Sequence, residues 1–188
     1  MKVKYFLLFL IPVFLIFLNL KILSFDHNFY KYENKYVNEN LLNYLENKEE
    51  LKFSYTEREL VHLEDVKNLF NILSIFVYVL AFLILAVLIF NKDELSMILI
   101  ISGALTILIT LILFLFDFSF LFTKFHELIF SNNYWLLDES TLLIKTYPAE
   151  FFYEFFKRLG LNIIISSLIL IIIGATRHVY TKYKSGAN

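Results

Sequence analysis

Four long apolar stretches dominate this chain and leave it few ways to fold. They run over Tyr5–Leu23, Leu69–Phe90, Leu95–Phe116 and Leu161–Thr176. A helix rises about 1.5 Å per residue, so about 20 apolar residues cross the roughly 30 Å of hydrocarbon in a bilayer. The second and third stretches carry no charge, and the fourth is short but almost pure Ile and Leu. Inside lipid each backbone N–H and C=O must find its partner within the protein, which a helix provides. The expected architecture is an all-α, polytopic membrane protein. It has four transmembrane helices and two extracytoplasmic loops of helical or interfacial character, folded as a single membrane domain over 1–188. Asn91-Lys92-Asp93-Glu94 reads as a tight turn that makes spans two and three an antiparallel hairpin. Lys2 and Lys4 give the first stretch the basic start of a signal peptide. Its apolar run is longer than a signal core, however, and Lys21-Ile-Leu-Ser-Phe-Asp lacks a small-x-small cleavage site, so it reads as a retained helix.

Charge sets the expected orientation. Residues 1–4, 91–94 and 177–188 hold six basic residues in twenty positions: Lys2, Lys4, Lys92, Arg177, Lys182 and Lys184. The other side, 24–68 and 117–158, holds ten in eighty-seven. Basic residues favour the cytoplasmic face. In a cell membrane both termini are therefore expected to be cytoplasmic and both long loops extracytoplasmic, carrying His27, His62 and His126. His178, beside Arg177 on the opposite face, is set aside for catalysis.

Composition removes several chemistries. With no Cys there is no disulfide, no thiolate metal site and no cysteine nucleophile. Four Gly and two Pro leave no glycine-rich phosphate loop. A net charge of -1 advertises no nucleic-acid surface. Uncharged second and third spans with no proline break argue against a transporter.

The two outer loops hold the candidate chemistry. In the first, Asn38-Glu39-Asn40 can cap a helix carrying Leu41, Leu42 and Leu45. Thr56-Glu57-Arg58-Glu59 has capping-box spacing, and the helix it starts is expected to pass His62 and enter the second span. Glu59, His62, Asp65 and Val66 share one face of it, so Glu59 or Asp65 can reach an imidazole nitrogen and fix its tautomer. A solvated helix end has the same composition without that role. In the second loop, Phe118, Phe120, Phe122, Phe125, Phe130, Tyr134 and Trp135 alternate with polar residues, which suits a helix lying in the interface. Phe122, His126, Ile129, Phe130 and Asn133 form one stripe if that helix continues. Aromatic surroundings desolvate His126 and keep it a neutral base; a tethering histidine bonded to a carbonyl is the plainer alternative. Pro148 favours a helix start. Phe151, Phe152, Phe155 and Phe156 then make an apolar face, with Lys157 and Arg158 as snorkelling anchors or phosphate contacts.

The segment His-Leu-Glu-Asp-Val-Lys (62–67), then Phe-His-Glu-Leu-Ile-Phe-Ser-Asn-Asn-Tyr-Trp-Leu-Leu-Asp (125–138), then Tyr-Pro-Ala-Glu-Phe-Phe (147–152) resembles the lipoprotein intramolecular transacylase (Lit) family. The chain departs from the family pattern after Asp138, where Glu139 and Leu142 stand in place of a proline and an aspartate. The resemblance implies an enzyme, an acyltransferase without cofactor or metal. It would move the sn-2 acyl chain of a lipoprotein's diacylglyceryl group to the α-amine of its N-terminal cysteine, giving a lyso-form lipoprotein. His62 and His126 carry over as the catalytic pair. His126 is then expected to act as base and His62 to protonate the departing glycerol oxygen or steady the oxyanion, or the reverse. Asn132, Asn133 or Trp135 are candidate hydrogen-bond donors to the tetrahedral oxygen. The implied partners are a diacylglyceryl-modified lipoprotein and membrane lipid. Two rival classes remain: a metal-dependent membrane hydrolase drawing on His62, Glu64, Asp65, His126 and Glu127, and a non-enzymatic scaffold whose outer loops bind another membrane protein.

Overall fold

The structure, a computed structural model, describes residues 2–30, 34–90 and 94–186. Among these residues there are seven helices and no strand: α1 (Lys2–Ser24), α2 (Lys35–Leu45), α3 (Glu57–Phe90), α4 (Leu95–Leu113), α5 (Phe118–Ile129), α6 (Leu142–Thr146) and α7 (Ala149–Gly186). Helices α1, α3, α4 and α7 are each long and apolar enough to cross a membrane. The all-α, multi-pass architecture expected from the apolar stretches is the one observed. The turn expected at Asn91-Lys92-Asp93, like the basic side chains of Lys2 and Lys4, lies outside the described residues.

Three boundaries differ from expectation. Helix α2 begins at Lys35 rather than at Asn38–Asn40, because those asparagines are buried inside it and bond neighbouring backbone. Asn38 Nδ2 donates to Tyr30 O (3.3 Å). Asn40 Nδ2 donates to Glu50 O (2.9 Å), and its Oδ1 accepts from Lys52 N (2.8 Å), which staples residues 49–52 to the helix. Helix α4 stops at Leu113, and a few residues later Asp117 caps α5 by accepting from Phe120 N (3.0 Å). Helix α7 runs well past Thr176. Thr176 and Thr181 donate back to carbonyls one turn earlier, which keeps their hydroxyls satisfied without breaking the helix.

The chain forms two compact units. The first comprises Met1–Leu20, Ile75–Leu115 and Arg158–Asn188. Leu7, Leu10, Ile11 and Leu15 of α1 pack there with Leu80 and Ile84 of α3 and Ile98 and Leu99 of α4. Large apolar side chains such as Phe9, Phe82, Leu85, Ile169 and Ile172 point outward, as a lipid-facing surface requires. Lipid tails are as apolar as leucine, so such helices associate through close packing and polar bonds. Close packing comes from Gly103 and Gly174: a Cβ on Gly103 would meet Ser167 O at 2.8 Å, and one on Gly174 would meet Ser96 O at 2.8 Å. Ser102, Thr106 and Ser167 are fully buried beside them. The polar bond joins α1 to α7, from Asn19 Nδ2 to Ser166 Oγ (2.9 Å).

The second unit comprises Lys21–Ser74 and Phe116–Lys157. Its core is aromatic: Leu41, Leu45, Leu63, Tyr147 and Phe151 pack with Phe29, Tyr30 and Phe155 around them. The face expected to hold Phe151 and Phe155 is therefore turned into this core. Helix α2 ends with Asn47 in the left-handed region (φ 61°). Lys48 N bonds Asn43 O and Asn47 N bonds Tyr44 O, a Schellman arrangement that asparagine tolerates.

Gly103→Ala should destabilise the first unit, because its new Cβ meets backbone and the helices must part. We expect a loss of about 1–3 kcal/mol, despite alanine's better helix propensity. Gly160→Ala should cost less, since only the Phe114 ring stands in its way. Thermal unfolding of the purified variants in detergent measures the difference.

Candidate active site

The local start of α3 is a reciprocal capping box. Glu59 N donates to Thr56 Oγ1 (3.3 Å), while Glu59 Oε2 accepts from Thr56 N (2.7 Å) and Thr56 Oγ1 (2.8 Å). The other carboxylate oxygen, Oε1, accepts from Leu143 N (2.7 Å) in the first turn of α6. Glu59 is only 1% exposed. Its partners are therefore backbone and Thr56, not an imidazole. His62 follows one turn later.

Two further residues on the same face of α3 hold the segment after α5. Arg58 donates to Asn133 O (2.6 Å) and Leu136 O (3.2 Å). Asp65 Oδ2 accepts from Asn132 Nδ2 (2.9 Å). Arg58, His62 and Asp65 are spaced by four and three residues, so one helix face carries a clamp on either side of the histidine. Asn132 Oδ1 also accepts from Tyr134 N (3.0 Å), which shapes the turn. The helix expected to continue to Asn133 stops at Ile129 instead, since Phe130 adopts an extended conformation. Asn133 is thereby taken off the stripe and left exposed, and only its carbonyl is bonded.

His126 lies on α5. Its Nδ1 is 2.7 Å from Phe122 O. A carbonyl can only accept, so Nδ1 carries the proton and Nε2 keeps the lone pair. Aromatic rings surround it, with centroids at 4.2 Å for Phe122, 4.9 Å for Trp135, 5.4 Å for Phe125 and 5.6 Å for Phe130. The His62 ring stands 6.2 Å from that of His126, centroid to centroid, and Phe130 lies 5.2 Å from His62. Each histidine is 8% exposed. The Nδ1 atom of His62 is buried with no hydrogen-bond partner among the described residues.

Burial disfavours the imidazolium form of both rings. It lowers His62 to about 4, helped by the neighbouring His126 and opposed by Asp65. His126 is also lowered by burial, partly countered by its bond to Phe122 O. Both are neutral at pH 7, and the bond to Phe122 O leaves Nε2 of His126 as its acceptor.

The structure thus brings His62 and His126 together and lays Trp135 on His126. It directs Glu59 to a cap, and Asp65 and Asn132 to each other. Two contributors were not singled out from sequence. Arg58 belongs to the same helix face as His62, and that spacing was a usable signal. The Phe122 carbonyl follows from its position four residues before His126. Phe130, which its spacing placed on one stripe with His126, touches both rings. The hydroxyls of Tyr55 and Tyr147 are also buried without partners among the described residues. Among the described residues no three His, Asp or Glu side chains group as a metal site, so the ligand set suggested for a hydrolase does not assemble there.

This is a polytopic helical membrane protein with two buried imidazoles 6.2 Å apart and tilted to one another. The family model for lipoprotein intramolecular transacylase Lit matches residues 5–152. The chain belongs to that family, whose members are membrane acyltransferases. It is similar over 98% of its length to a structure of the membrane integral lipoprotein intramolecular transacylase Lit from Bacillus cereus, covering 97% of that chain with a TM-score of 0.82 at 21% identity. A variant of that protein with one histidine changed to arginine matches with a TM-score of 0.81 at 20% identity, over 98% of this chain and 93% of the other. An uncharacterized protein of Aquifex aeolicus (strain VF5) is 30% identical over 112 residues, which are 55% of this chain and 48% of that protein. The chain therefore spans about half the length of this curated relative.

The shift at His62 makes stability depend on pH. Unfolded, the ring titrates near 6.5; folded, near 4. Between these values the unfolded state binds more protons, so stability is full above about 6.5 and falls as pH drops towards 4. His62→Gln should flatten that slope in thermal unfolding measured across the range. An unchanged slope would mean that His62 is not held neutral.

Proposed function

We propose that this protein transfers the sn-2 acyl chain of a lipoprotein's diacylglyceryl group to the α-amine of the same molecule's N-terminal cysteine. The product is a lyso-form lipoprotein with an N-acyl chain and one remaining glyceryl ester. The reading rests on family membership and on one observation, the pair of buried neutral imidazoles 6.2 Å apart with the His126 tautomer set by Phe122 O. An intramolecular shift needs no protein nucleophile, because donor ester and acceptor amine arrive on one substrate.

The steps follow from the available atoms. An α-amine titrates near 7.7–8.0, so a modest base frees its lone pair. The amine nitrogen attacks the ester carbonyl carbon and a C–N bond forms. His126 Nε2 takes the amine proton. The tetrahedral oxygen gains negative charge, which a neutral His62 N–H can steady without carrying an extra proton. A ring held near 4 suits this donor role better than that of a proton-delivering acid. The C–O bond to glycerol then breaks, and the proton on His126 passes to the leaving oxygen. Aromatic walls exclude water, which would otherwise hydrolyse the ester. Trp135 packs the base in place, while the Asp65–Asn132 and Arg58–Asn133 ties hold the loop that bears it. Positioning can supply a large share of the barrier reduction.

We further propose that both termini are cytoplasmic, that the pair works on the outer face of the cell membrane, and that residues 1–188 act as a single membrane domain. The excess of basic residues at 177–184 supports the orientation.

Mass spectrometry of a reporter lipoprotein, made in cells with and without this protein, tests the reaction. With it, one acyl chain should move to the amine while the total acyl count stays constant; an unaltered diacylglyceryl N-terminus refutes the reading. His126→Ala should lower conversion by about 10²–10⁴-fold at unchanged membrane levels. Activity should persist below pH 6.5 and fall at lower pH, because a base with a depressed pKa protonates late.

A further inference from the structure

The two imidazoles are covered. His62 and His126 are each 8% exposed, which leaves no opening for an ester that carries acyl chains. Two kinds of element supply the cover. Phe122 and Phe125 belong to α5, which ring packing fixes in place. Phe118 meets Tyr153 at 5.5 Å and Phe156 at 5.8 Å, and Phe122 meets Phe152 at 5.2 Å. Phe130 and Trp135 belong instead to residues 130–141, which join α5 to α6 without a helix of their own. Phe130 touches both imidazoles, and Trp135 lies on His126.

This segment is anchored at its ends and lightly tied between them. Upstream it leaves the packed α5; downstream Leu143 N is held by Glu59. Its backbone bonds include local turns, from Leu136 N to Asn133 O (3.2 Å), Leu137 N to Trp135 O (3.1 Å) and Thr141 N to Asp138 O (3.0 Å). Its ties to α3 are polar and peripheral. Arg58 bonds Asn133 O and Leu136 O in exposed positions and stands 5.6 Å from the Tyr134 ring, while Asp65 holds Asn132. Ser131, Asn133, Tyr134 and Leu136 are exposed. A segment with exposed bonds and few buried contacts opens at lower free energy than packed helices do. The two Arg58 bonds straddle Trp135, so breaking them frees the ring that lies on His126.

We propose that residues 130–141 form a strap over the histidine pair, latched to α3 by Arg58 and Asp65, and that the strap lifts to admit the substrate's ester. Reclosure then returns Trp135 to His126 over the bound group. The admission step rests on the acyl-transfer reading, but the lifting is measured without it. Diethyl pyrocarbonate modifies neutral imidazoles that it can reach, and peptide mass spectrometry resolves the rate at each histidine of the purified full chain in detergent. His62 and His126 should react much more slowly than His27 and His178, which are exposed. Arg58→Ala should speed His62 and His126 by about tenfold and leave His27 and His178 unchanged. Asn132→Ala, which removes the other latch, should act in the same direction. A locked strap gives an independent reading. The chain has no Cys, so Asp65→Cys with Asn132→Cys provides a single pair for a short bis-thiosulfonate bridge. Bridging should slow modification of both rings and stop acyl transfer, and a thiol should restore both. Unchanged rates at His62 and His126 in Arg58→Ala and Asn132→Ala overturn the proposal. So does full acyl transfer by the bridged protein. If the unbridged wild type transfers no acyl chain, the reaction assigned above fails, while the modification rates still report the strap.

Discussion

Glu59 is almost fully enclosed, and its two carboxylate oxygens bind three donors from two separate parts of the chain. A buried carboxylate is tolerated only when its lone pairs are used, and here each bond fixes backbone. The bonds to Thr56 start α3 at Glu57; the bond to Leu143 N holds the first turn of α6. Because a helix has a fixed period, the residue at which α3 starts decides which way each later side chain points. His62 owes its direction to that start, and Arg58 and Asp65 owe theirs to the same register. The loop carrying Asn132–Leu136 is then held against α3 by bonds that only this register permits. Glu59 acts at a distance from the proposed chemistry, through the position of the groups around it.

Enclosure by aromatic rings gives the site its electrostatic character. Two imidazoles this close cannot both be protonated at low cost, and burial adds to the penalty, so the pair rests neutral. The two rings are not equivalent. His126 has its Nδ1–H satisfied by a carbonyl and its Nε2 left as an acceptor, whereas the buried Nδ1 of His62 has no partner among the described residues. A buried polar atom without a partner costs free energy.

Much of this was legible in the residues because periodicity and capping are local signals. The apolar stretches gave the spanning helices, and Thr56 with Glu59 gave the cap and hence the helix through His62. The two histidines stand far apart in sequence, and only the family resemblance joined them. The errors have a common cause. Asn38 and Asn40 look like caps because asparagine favours helix starts, but their partners at Tyr30, Glu50 and Lys52 are tertiary. Glu59 and Asp65 look like partners for His62 because they share its face, but Leu143 N and Asn132 Nδ2 compete for those carboxylates from other parts of the chain. Helix α5 looks longer than it is because Phe130 continues the apolar stripe, although its backbone has turned extended. In each case the sequence shows what a side chain can bond, and only packing decides which of its possible partners arrives.

The two units use different means of cohesion, and the difference follows from the solvent each must resist. In the first, apolar side chains gain little by leaving lipid, so small residues add close contacts to the Leu and Ile core: Gly103 and Gly174 bring backbones together, and Ser102, Thr106 and Ser167 are buried beside them. Thr106 and Ser167 donate to carbonyls of their own helices, which leaves smooth surfaces for close approach. In the second, the core is built from Phe29, Tyr30, Tyr147, Phe151 and Phe155, whose rings meet edge to face or tilted at 5.0–6.3 Å. Burial of rings that large from water is strongly favourable, which suits a unit with many charged residues and a water-accessible periphery. The paired histidines, placed in the second kind of packing, are held by directional bonds and large rigid rings.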